Sequence, residues 1–279
     1  MNKTIAAFDS LNVSDSTIEY AIYLWKEFKM NIVAAFLKDI AYHGKAENGL
    51  GQPYEPNDWS GEDTYIQKEE IVRKAFIKKV QNIFSKEGVH YTIHHDDLIA
   101  LLSLINESHF ADMILINRNE SFSATEKCKP SYFLKTLLAD ADCPVMIVPD
   151  EFRPIEKFIF TYDGSPASTY AIRFFTYLFP LKASHHVEIL MVNDEATNHL
   201  PEHHLLKELL LRKFPVLQLS IIKSSHTSEK LLEYVHSQKE SCMVIMGSYS
   251  RNILSRWLHK STADILIAEA DVPIFIAHK

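Results

Sequence analysis

Apolar residues along this chain fall into short unbroken runs that alternate with stretches of helical periodicity, the pattern of buried strands joined by amphipathic helices. The runs 3–9 (KTIAAFD) and 157–163 (KFIFTYD) both end in an aspartate and lead through a polar turn into helical periodicity. They predict the same first strand, used twice. The runs 143–148 (CPVMIV) and 272–277 (VPIFIA) each set a proline at a strand start before a buried-type apolar stretch, and predict the same last strand, used twice. In the second copy, strands are predicted over 157–163, 186–193, 216–223, 242–247 and 272–277, with helices over 166–179, 201–213, 227–238 and 261–270. Strands buried on both faces and separated by helices imply right-handed crossovers. The fold expected is α/β, two tandem Rossmann-like domains, each with a five-stranded parallel sheet. Ligands of such sheets bind at the carboxyl ends of strands near the topological switch point, here the loops after Asp163, Val192 and Gly247.

The copies are unequal. Asp9 and Asp163 stand 154 positions apart but Pro144 and Pro273 only 129, so the first copy carries about 25 extra residues. Pairing Asp39 with Asp194 and Asn117 with Gly247 confines the excess between Asp39 and Asn117. The stretch 40–63 holds four of the chain's seven glycines and both prolines of that interval, and it reads as a loop. The charged segment 150–156 (DEFRPIE) reads as the linker, giving domains 1–150 and 151–279.

The length of 279 residues suits two domains, and 47% hydrophobic with 23% charged residues describes an ordinary folded protein. The sequence shows no apolar run long enough to span a membrane, and Asp9 interrupts the start before a signal-peptide core could develop, so a cytoplasmic location is expected. Cys128, Cys143 and Cys242 are odd in number and lack a CxxC spacing, which speaks against a disulfide framework or structural zinc. A net charge of −7 argues against nonspecific attraction to nucleic acid or an anionic membrane.

Gly164 and Gly247 are the second copy's two glycines, and both fall at predicted strand ends. There a glycine either lets backbone approach a ligand or simply makes a tight turn; a helix starting near Ser261 would aim N–H groups at an anion. The segment 246–262 (MGSYSRNILSRWLHKST) and the following ADILIAEADVPIFIA resemble the C-terminal motif of universal stress proteins, a family in which some members bind ATP through Gly-x-x-Gly-x9-Gly-Ser/Thr. Under that resemblance, which covers the whole chain as two family domains, Gly247 matches the first glycine. Ser250 replaces the second and Lys260 the third, while Ser261 matches the final hydroxyl with Thr262 beside it. The motif TYDGSPAS (161–168) places Asp163 near the nucleoside, and the backbone of Val192 matches a position that reads adenine. Lys260 could pair with a phosphate or lie across the helix start and block it. The first copy has Asn117 at the first glycine position and no phosphate glycine, and its Asp9, Ser10 and Asn12 read as turn and N-cap chemistry.

Other groupings are weaker. His94, His95, Asp96 and Asp97 read as a solvated loop more readily than a metal site, because adjacent strand residues point to opposite faces. His203 and His204 read as a polar helix start, and Trp257 as packing against Leu254 and Leu258. The sequence assembles no catalytic triad or dyad, so an enzyme is not supported. The resemblance implies a stress-response regulatory binding protein with ATP or a related nucleotide in the second domain. The alternative is a nucleotide-free interaction protein acting through its pseudo-dimeric surface. The partners expected are a nucleotide, a protein and a second copy of the chain, with neither nucleic acid, membrane nor metal.

Overall fold

The computed structural model describes residues 2–38, 60–95, 99–122, 128–182, 184–194, 199–211, 213–214, 217–247 and 261–277. Ser250, Lys260, Trp257, Asp96, Asp97 and most of 40–63 lie outside the described residues.

The first half runs β1 (Lys3–Asp9), α1 (Asp15–Phe28), β2 (Asn31–Leu37), α2 (Ser60–Lys86), β3 (Tyr91–His95), α3 (Ala100–Ser108), β4 (Met113–Asn117), α4 (Tyr132–Asp140) and β5 (Val145–Val148). The second repeats this order as β6 (Lys157–Thr161), α5 (Pro166–Leu178), β7 (His186–Asn193), α6 (His203–Leu211), β8 (Gln218–Lys223), α7 (Thr227–His236), β9 (Cys242–Gly247), α8 (Thr262–Glu269) and β10 (Ile274–Ala277). Local chemistry sets the helix ends. Ser14, Ser131, Ser165 and Ser261 each cap a helix by accepting an N–H from its first turn, and Pro166 opens α5 where its missing N–H costs nothing. Lys29 closes α1 in the left-handed conformation, φ 56°.

The strands form one ten-stranded sheet, ordered β3-β2-β1-β4-β5-β10-β9-β6-β7-β8. Within each half every pairing is parallel, and β5 meets β10 antiparallel with Met146 opposite Phe275. The two terminal X-Pro strands thus face one another across an internal pseudo-twofold. Helices α1, α2, α5 and α6 pack on one face around Phe8, Phe36, Phe84, Phe158 and Phe175, all buried. Helices α3, α4, α7 and α8 cover the other around Leu104, Leu134, Leu231 and Leu266.

Packing across the seam is aromatic. Phe28 of the first half meets Phe179 edge-on at 5.0 Å, and Phe179 in turn packs on Phe275 at 5.9 Å. The Tyr23 hydroxyl donates to the Ile155 carbonyl at 3.2 Å, and Lys182 pairs with Glu27 at 2.5 Å.

The extra length of the first half is in part helix. Helix α2 starts at Ser60, inside the stretch read as a loop, and has 27 residues where its counterpart α6 has 9. The prolines end at Pro56, and beyond them a lone Gly61 is tolerated in a first helical turn. Glu69 on α2 pairs with Lys38 just after β2 at 3.1 Å, which ties the long helix to the sheet's carboxyl edge.

Candidate functional site

The topological switch of the second half lies between β6 and β9, and a cavity of about 210 Å³ opens beyond their carboxyl ends. Asp163, Val192, Gly247 and Thr262 all line it, so four of the residues picked from the sequence converge. Asp163 stands two positions past β6, exposed to solvent. Its Oδ1 accepts from the Ser165 N–H at 2.9 Å and the Ser168 hydroxyl at 2.7 Å. Burial acts to raise its pKa, but these hydrogen bonds outweigh it, so the carboxyl is held below its ordinary value and is ionised at neutral pH. Leu190, Val192, Leu231 and Met246 supply apolar walls, and Thr227 adds a hydroxyl-bearing residue at the start of α7. Thr227 and Leu231 could not be found from the strand ends, because α7 reaches the cavity only through the crossover from β8.

Both glycines prove to serve close packing. A Cβ on Gly247 would lie 2.2 Å from the Ala167 carbonyl oxygen and 2.5 Å from the Ser168 nitrogen, the first turn of α5. The missing side chain lets that helix rest against β9. Gly164 has φ 80°, and its Cβ would meet Pro201 at 2.7 Å. It lines a neighbouring cavity of about 360 Å³ between α5 and α6, with Tyr170, Arg173 and Leu206.

The start of α8 is capped from within. The Ser261 hydroxyl accepts the Asp264 N–H at 3.1 Å, and the Asp264 carboxylate takes the Ser261 N–H at 3.0 Å. This reciprocal box places a carboxylate where the helix dipole would otherwise favour an anion. The Thr262 and Ser228 hydroxyls bond each other at 2.8 Å.

The corresponding edge of the first half is built differently. Asp9 Oδ1 accepts from the Leu11 N–H at 2.8 Å and its carbonyl from Asn12 at 3.2 Å, so these residues make a turn; Ser14 rather than Asn12 caps α1. Asn117 sits at the position of Gly247 and spends its side chain on the Pro149 carbonyl, 3.3 Å, and the Asn119 N–H, 2.9 Å. Glu120 is buried in this edge; burial first, and then the Asp9 charge, push its pKa up to about 8.

The remaining candidates disperse. His94 pairs with Glu107 at 2.9 Å, and no group of three metal-capable side chains occurs among the described residues. His203 and His204 open α6, as a polar helix start. Among the described residues no helix is long and apolar enough to cross a membrane.

No protein-family model and no curated protein matches the chain. Solved structures do. A universal stress protein from Archaeoglobus fulgidus aligns over 99% of this chain and 98% of its own, with TM-score 0.73 and 16% identity. A candidate universal stress protein from Pseudomonas aeruginosa aligns over 100% and 93%, with TM-score 0.57 and 9% identity. A second P. aeruginosa protein, of unknown function, aligns over 100% and 92%, with TM-score 0.59 and 10% identity. The fold is therefore that of tandem universal stress proteins along the whole chain.

Proposed function

We propose that the protein is a regulatory binding module of the stress-response type that takes ATP or a related adenine nucleotide in its second half. The observation that carries this reading is the cavity beyond β6, β7 and β9, where an ionised Asp163 and the backbone end of β7 at Val192 meet apolar walls. The carboxylate suits the hydroxyls of a ribose, and the walls a flat base. At about 210 Å³ the space is below the roughly 300–1,000 Å³ usual for small-molecule sites, which fits the nucleoside part alone. The phosphates would extend toward 248–260, where the resemblance places Ser250 and Lys260. A nucleotide-free interaction protein is the second reading, favoured by the Asp264 carboxylate that already occupies the start of α8.

Calorimetric titration of ATP and of adenosine into the full chain separates the two. The expected outcome is saturable binding of both, and the sign of two Lys260 variants reports how the phosphates are met. If the ammonium pairs with a phosphate, Lys260→Ala removes a charge-assisted contact worth about 1.5–3 kcal/mol and weakens ATP about ten- to hundredfold, leaving adenosine unchanged. If the lysine covers the site, Lys260→Gly strengthens ATP instead. Absence of binding by either ligand in all three proteins would establish the interaction-protein reading.

A further inference from the structure

Helices α5 and α6 leave between them the cavity of about 360 Å³, a size within the roughly 300–1,000 Å³ of small-molecule sites. It lies on the face of the sheet away from α7 and α8, and so apart from the cavity at Asp163, although Tyr162 borders both. Its walls are apolar and held in place. The Tyr162 hydroxyl donates to the Pro201 carbonyl at 3.0 Å, and the Tyr170 ring rests against Phe174 at 5.6 Å. Leu205, Leu206 and Leu209 supply the α6 side, and Leu205 is 59% exposed, an apolar side chain left in water beside an open cavity.

Two opposite charges border this apolar space without neutralising each other. Arg173 of α5 and Glu202, just before α6, both line the cavity, yet neither has an ion pair or a side-chain hydrogen bond among the described residues. The first half shows the other arrangement. There the counterpart helices α1 and α2 are tied directly by Asp15 and Lys79 at 2.6 Å, whereas among the described residues no ion pair joins α5 to α6. The place of Glu202 is set by its backbone: φ is 46°, a left-handed conformation few non-glycine residues adopt, and its carbonyl accepts the Leu205 and Leu206 N–H groups at 3.0 and 3.1 Å. A single small molecule meets both charges and the apolar walls if it is a zwitterion with a large apolar side chain.

We propose that the cavity between α5 and α6 binds a free amino acid with an aromatic side chain. The Arg173 guanidinium takes the carboxylate through its planar fork, Glu202 takes the ammonium, and the ring lies among Tyr162, Tyr170 and the leucines of α6. Binding there requires no nucleotide in the other cavity.

Calorimetric titration of phenylalanine into the full chain without nucleotide tests it, beside phenylpropionate, which lacks the ammonium, and phenylethylamine, which lacks the carboxylate. Saturable binding of phenylalanine is expected, with each of the other two about ten- to hundredfold weaker. Arg173→Gln should weaken phenylalanine by a similar factor while leaving phenylethylamine unchanged, and Glu202→Gln should weaken phenylalanine while leaving phenylpropionate unchanged. Both residues are exposed, and an unchanged denaturation midpoint shows that each variant is folded. No saturable binding of phenylalanine to the wild type, equal affinity for the three ligands, or phenylalanine binding indifferent to either variant would overturn the proposal.

Discussion

Gly247 shows how a residue can draw attention for a reason that its surroundings revise. Its position at the end of β9 draws attention as a place for close approach, and close approach is what it provides, but to the α5 backbone at 2.2 Å. An alanine there must push the first turn of α5 off the sheet. Gly247→Ala is expected to cost about 1–3 kcal/mol, the usual range for overpacking, read as a lowered denaturation midpoint at unchanged slope. An unchanged midpoint would mean that α5 yields without strain. Because Asp163 is oriented by Ser165 and Ser168 of the same turn, the variant should also disturb the cavity. That Asp163, Val192 and Thr262 come together was legible, because strand ends and helix starts fix where they stand. What Gly247 touches was not, since the backbone opposite it belongs to a helix 80 positions earlier in the chain.

At the level of elements, the strands were readable because a strand buried on both faces leaves an uninterrupted apolar run, and nearly all of them fall where the runs lie. Helix α2 was misjudged at its start because glycine and proline upstream masked the onset of periodicity. The polar content of a strand can also conceal a structural role. Glu188 on β7 is fully buried, with its carboxylate 2.8 Å from Lys157 of β6; it also accepts from Tyr234 of α7 at 2.6 Å and from Ser220 of β8. The cluster fastens α7 to three strands. Lys157→Met strands the carboxylate and is expected to cost about 3–5 kcal/mol, while combining Lys157→Met with Glu188→Leu, which removes both charges, should recover much of that loss. Equal losses in single and double variants, measured by chemical denaturation, would show that the hydroxyls rather than the lysine hold Glu188.

For the whole molecule the deciding feature is the β5–β10 seam with its aromatic packing, which joins the sheets and cores of both halves. A core cluster that runs from Phe8 through Phe275 to Phe160 gives neither half a separate interior on that face. Calorimetry should therefore record one unfolding transition with matching calorimetric and van't Hoff enthalpies. Two resolved transitions would show that the seam couples the halves only weakly. The repeat itself was visible from the paired aspartates and X-Pro strands, because both mark turning points of the chain. The burial of the segment after β4 was not, because Glu120 and Phe122 look like ordinary loop residues until the fold packs them away from solvent.

The covalent joining of the two halves has an evolutionary corollary. In a pair of identical subunits related by symmetry, every substitution is made twice, so a change that harms one site harms both. Here the partner across the seam is always present at the high effective concentration of a tethered neighbour, yet it is encoded separately. One half can therefore carry Asn117 where the other has Gly247 and bury the segment that follows, while the other keeps a cavity at its strand ends. A single chain thereby acquires two inequivalent edges that a homodimer could not diverge to hold.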